Sequence, residues 1–199
     1  MNNKLALDIK TLIKQLRNKK TVIHHLTNYV TANDCANIVL AVGGSPIMAD
    51  DINEVAEITR ISSALVLNIG TLSKNTVSAM IKAGKTANIN NIPVILDPVG
   101  AGVSTLRNKT IEELLKKVKI SVLRGNISEI RFAAGFEATT KGVDASTADI
   151  ESRNQTGEET AIALAKKMGC VVAITGSTDI ISNGERTIFI ENGHKMLTD

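Results

Sequence analysis

The sequence predicts an α/β protein with a doubly wound, mostly parallel sheet and helices on both faces, and two observations support this fold class. Short apolar segments alternate with amphipathic ones along the 199 residues, as in repeated strand–helix units with right-handed crossovers. Hydrophobic residues make up 43% of the chain and aromatic residues only 2%, so Ile, Leu, Val and Ala form the core, as in buried parallel strands. A chain of this length can bury such a core without disulfides or metals, and we expect residues 1–199 to form a single domain.

The first half of the chain shows the alternation most regularly. It opens with an amphipathic helix, because apolar side chains recur at helical spacing between Leu5 and Leu16. The next helix ends at Gly43, a residue typical of helix C-termini. Strands and helices are then predicted in alternation, and the strands at 64–69 and 93–96 are continuous apolar runs. The predicted strands are 21–26, 46–48, 64–69 and 93–96, and the helices after the first are 32–42, 53–62 and 75–90.

The second half contains two pairs with the spacing of a capping box, in which a Thr is followed three residues later by a Glu. Thr110 with Glu113 predicts the start of one helix. Thr156 with Glu159 predicts the start of another, which ends at Met168. The remaining predicted elements are strands at 120–123 and 171–175, a polar surface loop at 138–155, and a final hairpin at the Asn-Gly pairs 183–184 and 192–193.

Polar and glycine residues follow nearly every predicted strand. In parallel sheets, ligands bind beyond the carboxyl ends of the strands, where loops and helix N-termini meet. Residues of this kind are what a site for a small polar ligand needs. The strand ends deliver Asn28, Met48, 68–71, 97–102, 124–126, Thr175 and Gly176.

The segment LDPVGAG, residues 96–102, places Asp97 at a strand end before a loop that contains glycines. Two interpretations stay open. The glycines allow backbone N–H groups to approach an anion such as phosphate. Equally, Asp97 followed by Pro98 suits a simple turn. The segment is not a G-x-x-x-x-G-K-[ST] loop, and it contains no Walker lysine.

The segment RGNISEI, residues 124–130, also has two interpretations. Arg124 is suited to holding phosphate oxygens, and Glu129 to holding a water bound to magnesium. Alternatively, Asn126 followed by Glu129 fits a helix N-cap with an acidic third position. A cation near a helix N-terminus opposes the helix dipole and needs an anion nearby, which favours a functional role for Arg124.

Composition argues against several classes of protein. The net charge of +3 comes from scattered Lys and Arg with few aromatics, which is unlike a nucleic-acid-binding surface. No stretch reaches the roughly 20 apolar residues that span a bilayer, and no targeting segment is recognisable, so we expect a soluble, cytoplasmic protein without membrane partners. Cys35 and Cys170 are expected to be buried and reduced. His24 and His25 point to opposite faces of a strand and are expected in the core, whereas His194 suits a turn or the surface.

Seven motifs occur in order between residues 24 and 176, namely HHLTNYVTAN, GGSPIMA, LVLNIGTL, VILDPVGAG, RGNISEI, KGVD and AITG. Together they resemble the hydroxyethylthiazole kinases, a family of the ribokinase-like superfamily. Each motif is weak alone, but the series covers essentially the whole chain. The resemblance implies a ribokinase-like fold and ATP-dependent phosphorylation of the hydroxyl of 4-methyl-5-(2-hydroxyethyl)thiazole in thiamine biosynthesis and salvage.

The resemblance also implies site residues at positions that match the family's motifs. Asn28, Met48 and Gly70 are implied to bind the thiazole. Asp97 and Glu129 are implied to flank Mg²⁺, the expected cofactor. The implied phosphate and ATP positions are Arg124 and Asn126 in RGN, and Thr175 and Gly176 in AITG. The family also implies a homotrimer with the thiazole bound between subunits.

In this family the catalytic base and an anion-binding turn lie in a GTGC-like segment, which is expected beyond Asp199. We therefore expect residues 1–199 by themselves to be inactive as a kinase. Two alternatives stay open, a non-catalytic ligand-binding or assembly subunit of the same fold and a related small-molecule kinase. Reading the gene past codon 199 distinguishes the enzyme from the non-catalytic subunit.

Overall fold

The computed structural model describes residues 3–135, 147–191 and 193. Among these residues it contains seven helices and eight strands, which alternate from α1 to α6 and end in three consecutive strands, and this confirms the predicted α/β class. The chain divides into two compact units, Met1–Val94 and Ile95–Asp199. The expectation of a single domain stays a prediction.

The first unit contains parallel strands that alternate with helices. Its elements are α1 (Asn3–Asn18), β1 (Val22–Leu26), α2 (Ala32–Val42), β2 (Ser45–Ile47), α3 (Val55–Arg60), β3 (Ala64–Asn68) and α4 (Lys74–Ile89). The strands lie in the order β2-β1-β3, and β1 is parallel to both neighbours. Every predicted element of this unit is present, and its ends lie within about two residues of the predicted ones.

Local sequence sets the helix ends of the first unit. Gly43 ends α2 with φ 97°, a left-handed backbone that favours glycine, and its N–H donates to Leu40 O at 3.0 Å. The helix end predicted at Gly43 is therefore confirmed. Before α4, Ser73 Oγ accepts from Thr76 N at 3.1 Å, and Thr76 Oγ1 accepts from Ser73 N at 3.2 Å. This is a capping box in which Thr replaces the usual Glu.

The second unit combines parallel strands with an antiparallel end. Its elements are β4 (Val94–Asp97, beginning at the last residue of the first unit), α5 (Thr105–Lys117), β5 (Val122–Asn126), α6 (Ile127–Ala133), α7 (Thr147–Met168), β6 (Val171–Thr175), β7 (Asp179–Ser182) and β8 (Thr187–Ile190). The strands lie in the order β4-β5-β6-β7-β8. The pairs β4–β5 and β5–β6 are parallel, and the last two pairs are antiparallel.

The turn between β7 and β8 confirms the hairpin predicted at Asn183-Gly184. Asn183 Oδ1 accepts from Glu185 N at 3.0 Å and from Arg186 N at 2.8 Å. Gly184 has φ 90°, which suits glycine in a tight turn. The second predicted pair includes Asn192, which lies outside the described residues.

The predicted start of a helix at Thr110 is wrong. Helix α5 begins earlier, at Thr105, and its N-cap Ser104 accepts a hydrogen bond from Arg107 N. Thr110 lies inside the helix, where its hydroxyl donates to Leu106 O at 2.8 Å. A Thr hydroxyl can bond to the carbonyl four residues back, so Thr with Glu three residues later also occurs within helices.

The predicted start at Thr156 is wrong for the same reason. Helix α7 begins at Thr147, so residues 147–155 are helical and do not belong to a loop. Thr160 Oγ1 donates to Thr156 O at 2.7 Å, as inside a helix. Polar residues suit an exposed helix face as well as a loop, so composition did not separate the two. Residues 138–146 of the predicted loop lie outside the described residues.

Both cysteines are free thiols, but only Cys170 is buried as expected. Burial raises the pKa of the Cys170 thiol. Cys35 is half-buried. It lies on α2, and no residue of that helix is buried. In the part of the chain that the structure describes, no helix has the length and apolar character needed to cross a lipid bilayer.

Candidate active site

The predicted thiazole-binding residues follow neighbouring strands of the first unit. Met48 comes just after β2, Asn28 after β1 and Gly70 after β3. These strands are adjacent and parallel, so their carboxyl ends share one edge of the sheet. The structure therefore places these positions at the same edge, as the sequence predicts.

Asn28 organises the turns at this edge. Its Nδ2 donates to Asn68 Oδ1 at 3.0 Å. Its own Oδ1 accepts from Thr31 N at 3.0 Å and from Thr31 Oγ1 at 3.1 Å. Asn28 is only 8% exposed, so these bonds hold it in one orientation. Within the described residues, the second N–H of its Nδ2 donates no hydrogen bond.

Gly70 lies directly against Asn28. Its N–H donates to Asn68 Oδ1 at 2.9 Å, so Asn68 connects the two residues. A Cβ on Gly70 would lie 2.9 Å from Asn28 Cβ, and no side chain fits there unless Asn28 moves. Asn28 and Gly70 are thus brought together, while their role in binding a substrate stays a prediction.

Apolar side chains at the same edge of the sheet are exposed. Met48 is 38% exposed, Tyr29 82% and Val30 74%. Apolar surface next to fixed polar groups is typical of ligand sites and of protein–protein interfaces.

The predicted phosphate residues lie in the second unit, where Asp97 and Arg124 form an ion pair. Asp97 ends β4 and Arg124 lies in the neighbouring β5. Arg124 Nη1 donates to Asp97 Oδ2 at 3.1 Å, and the two side chains are 52% and 14% exposed. Asp97 is thus the anion that Arg124 needs near the start of α6. The other guanidinium N–H groups make no hydrogen bond within the described residues, so they are available to a bound anion.

Glu129 connects the loop after β4 to the start of α6. Its Oε1 accepts from Gly100 N at 2.8 Å, and its Oε2 accepts from Asn126 N at 2.9 Å. Asn126 Oδ1 in turn accepts from Glu129 N at 2.9 Å, which confirms the N-cap interpretation of this segment. Gly125 provides the space, because a Cβ there would lie 2.9 Å from Glu129 Oε2.

The N–H groups of residues 100–102, in the loop after β4, donate hydrogen bonds within the protein. Besides the bond from Gly100, Ala101 N donates to Pro98 O at 2.9 Å. Gly102 N donates to Asn108 Oδ1 at 2.8 Å. These N–H groups do not point at an open anion site, so the structure favours the turn interpretation over the phosphate loop.

Two residues of α5 that the sequence analysis did not single out contact this loop. Arg107 Nη1 donates to Val99 O, and Asn108 accepts from Gly102 N at 2.8 Å. A Cβ on Gly100, which has φ 70°, would lie 3.2 Å from Arg107 Nε. The glycines signal an unusual backbone in the sequence, but the contact itself depends on the path of α5.

Thr175 ends β6 and Gly176 follows it, next to the RGN segment. The strand register pairs Thr175 with Asn126, so both lie at the carboxyl ends of adjacent parallel strands. Gly176 is exposed, and its N–H donates to Asp179 Oδ1 at 3.0 Å. Their roles in nucleotide binding stay predictions.

The carboxylates present fit a metal that is shared with a substrate. Within the residues that the structure describes, no group of at least three His, Cys, Asp or Glu side chains could hold an ion. Mg²⁺ bound to a nucleotide does not need such a group, because phosphates and waters complete its octahedral shell around one or two carboxylates. Asp97 and Glu129 would supply oxygen ligands of this kind.

The histidines of β1 lie in the core, as predicted. His24 Nε2 donates to Ala49 O at 2.7 Å, since a carbonyl only accepts, and Nδ1 lies 3.0 Å from Thr59 Oγ1. His25 is buried, and neither of its ring nitrogens has a partner among the described residues. Burial lowers the pKa of both imidazoles. His194 lies outside the described residues.

Comparison with known proteins identifies the family. The model of the hydroxyethylthiazole kinase family matches residues 13–199. This chain belongs to the hydroxyethylthiazole kinase family. The hydroxyethylthiazole kinase of Clostridium beijerinckii is 60% identical over 199 residues, which are 100% of this chain and 72% of that relative. The hydroxyethylthiazole kinase of Methanocella arvoryzae is 47% identical over 96% of this chain and 70% of that relative.

Solved structures agree with this assignment. The hydroxyethylthiazole kinase of Pyrococcus horikoshii OT3 matches with a TM-score of 0.82 and 34% identity, over 94% of this chain and 67% of that one. A phosphomethylpyrimidine kinase from Clostridium difficile matches at 0.58 and 13% identity, over 87% and 85% of the two chains. The latter likeness shows the ribokinase-like fold alone. Membership of a kinase family implies phosphoryl transfer from ATP, which typically requires a divalent metal ion.

Proposed function

We propose that this protein uses ATP to phosphorylate the hydroxyl of 4-methyl-5-(2-hydroxyethyl)thiazole, in thiamine biosynthesis and salvage. The observation that carries the proposal is the 60% identity over all 199 residues to a protein named hydroxyethylthiazole kinase. The fixed polar cluster of the first unit and the ion pair of the second unit are consistent with it.

The thiazole would bind at Asn28, Met48 and Gly70. Met48 offers an exposed apolar side chain, and the unused N–H of Asn28 Nδ2 offers a donor. Gly70 has no side chain, and its backbone lies directly against Asn28. A small heteroaromatic alcohol needs this combination of apolar contact and few, well-oriented polar groups.

The phosphates of ATP would bind at Arg124 and Asn126, with Thr175 and Gly176 nearby. Phosphoryl transfer depends mainly on positioning and charge neutralisation, and a half-exposed guanidinium with free donors supplies both. Asp97 holds that guanidinium in place through the 3.1 Å ion pair. Thr175 is the register partner of Asn126 and adds a hydroxyl at the same edge.

The divalent ion would be Mg²⁺, held by Asp97 and, through water, by Glu129. Both oxygens of Glu129 already accept backbone N–H groups, and each keeps a second lone pair for a water molecule. When bound, Mg²⁺ would neutralise charge on the transferred phosphoryl group.

We also propose that the protein is a cytoplasmic homotrimer in which another subunit completes the thiazole site. The support is the exposed apolar surface next to Asn28, where Tyr29 and Val30 are 82% and 74% exposed. Surface of this kind is typical of residues that a partner covers.

The test is a coupled assay of ADP release by the protein expressed from its complete gene, with Mg-ATP and the thiazole alcohol. We expect turnover that depends on the thiazole and a phosphorylated thiazole detected by mass spectrometry. A phosphomethylpyrimidine precursor and pyridoxal serve as control substrates, because kinases of the same fold act on related molecules. Equal or higher turnover with either control would contradict the proposed substrate.

A further inference from the structure

The structure assigns a role to Arg107, a residue of α5 that donates a hydrogen bond to the loop between β4 and α5. We propose that Arg107 is a positioning residue, which fixes residues 97–102 so that Asp97 stays paired with Arg124. The inference rests on the proposed function and extends it to a residue that contacts neither substrate nor nucleotide in that proposal.

The contact of Arg107 with the loop has two parts. Its Nη1 donates to Val99 O, two residues after Asp97. Its side chain also lies over Gly100, where an added Cβ would lie 3.2 Å from Cδ, from Nε and from Nη1 of Arg107. Gly100 has φ 70°, and its bare backbone lets the planar guanidinium approach this closely. Lys could supply a donor but not this flat contact.

The rest of the loop is held at two further points. Asn108, the next residue of α5, accepts from Gly102 N at 2.8 Å. Glu129 accepts from Gly100 N at 2.8 Å on the side of α6. Arg107 bonds the loop two residues after Asp97, at Val99 O, so its loss should free the segment that ends in the ion pair. Phosphoryl transfer is sensitive to such displacement, because a shift of about 1 Å can cost about a hundredfold in rate.

Hydrogen–deuterium exchange tests the contact without any assay of activity. Arg107→Ala should raise the exchange rate of residues 99–103 by about tenfold to a hundredfold, the loss expected for one hydrogen bond from a charged donor. Lys109→Ala is the matched control, because it removes an exposed cation from the same helix. It should leave exchange in the loop unchanged. Unchanged exchange in Arg107→Ala would overturn the proposal.

Kinetics tests whether the contact matters for the reaction. Arg107→Ala should lower kcat by about tenfold to a hundredfold and leave the KM for the thiazole within about twofold. Added guanidinium should restore part of kcat, and Arg107→Lys should be intermediate. Full kcat in Arg107→Ala would overturn the positioning role. If the unchanged protein does not phosphorylate the thiazole, the proposed function and the kinetic role both fail, while the exchange result still decides the contact.

Discussion

Single glycines decide which side chains can meet in the candidate active site, and Gly125 is the clearest case. The Glu129 carboxylate passes close to it on the way to Gly100 N and Asn126 N. A Cβ at position 125 would lie 2.9 Å from Glu129 Oε2 and 3.4 Å from Pro98 Cδ. In the R-G-N-x-x-E segment, Gly125 therefore leaves room for the Glu129 carboxylate, while Asn126 and Glu129 cap α6.

Gly125→Ala should displace Glu129 and break its bond to the loop after β4. We expect a loss of about 1–2 kcal/mol in the free energy of unfolding, because the capping bond from Asn126 N and the bond from Gly100 N lose their acceptor. Chemical denaturation measures this loss. Gly176→Ala is the control for stability, since the nearest atom to its added Cβ, Thr178 O, lies 3.6 Å away. Equal stability of the two variants would show that Glu129 does not need this space.

Met48→Ala should raise the KM for the thiazole by about tenfold, because it removes an apolar contact that is 38% exposed without ligand. Asn28→Ala should raise the KM as well, but it also removes hydrogen bonds to Asn68 and Thr31, so some loss of stability is expected. Steady-state kinetics together with melting temperatures separates the two effects. Unchanged KM in both variants would refute the assignment of this site.

Arg124→Ala should act on catalysis and leave the fold intact. The ion pair with Asp97 is about half exposed on the Arg side, and such pairs contribute under about 1 kcal/mol to stability. The melting temperature should therefore stay within a few degrees, while turnover or ATP affinity falls. A large loss of stability with normal kinetics would instead make Arg124 a structural residue.

Among whole elements, strand β1 carries a pH dependence. His24 and His25 are buried in it, and burial lowers the pKa of both below the ordinary value of 6.5. In the unfolded chain both imidazoles take up protons below about pH 6.5, whereas in the folded protein they stay neutral until a lower pH. The unfolded state then binds more protons, so folding stability falls as the pH drops below 6.5.

We expect the free energy of unfolding to be constant near pH 7.5 and to fall between pH 6.5 and 5, by up to about 1.4 kcal/mol per pH unit for each histidine. Urea denaturation across this range measures the slope. His25→Leu should reduce the slope and keep or raise stability at pH 7.5, because neither ring nitrogen of His25 has a partner among the described residues. An unchanged slope would assign the effect to other groups.

Some elements could be predicted from the sequence, and others could not. The strands at 64–69 and 93–96 could be predicted from their apolar runs, and the residues at the carboxyl ends of the strands follow from topology. Helix starts at Thr110 and Thr156 were wrong, because a threonine inside a helix has the same local spacing as a cap. The contact of Arg107 with Val99 O depends on how α5 returns over the loop, which no local pattern contains.

On the scale of the whole molecule, the first unit exposes many large apolar side chains, which do not contribute to its core. Within the described residues of this unit, the most exposed are Leu12 at 61%, Tyr29 at 82%, Val30 at 74%, Ile38 at 63%, Leu40 at 58%, Ile61 at 67% and Ile89 at 82%. Tyr29 and Val30 directly follow Asn28, at the carboxyl edge of β1. Ile89 ends α4, which runs from the carboxyl end of β3 back towards the opposite edge of the sheet.

Val30→Lys should therefore abolish assembly and thiazole binding together, if another subunit covers the surface next to Asn28. A buried unpaired lysine costs several kcal/mol at an interface, enough to dissociate an assembly of ordinary affinity. Ile89→Lys is the control, because it introduces the same charge at a side chain of similar exposure on the opposite edge, and it should leave both properties unchanged. Sedimentation velocity measures the mass, and calorimetry measures the binding of the thiazole. A trimer that keeps its mass and its affinity with Lys at position 30 would show that the interface lies elsewhere and that the thiazole site is complete within one subunit.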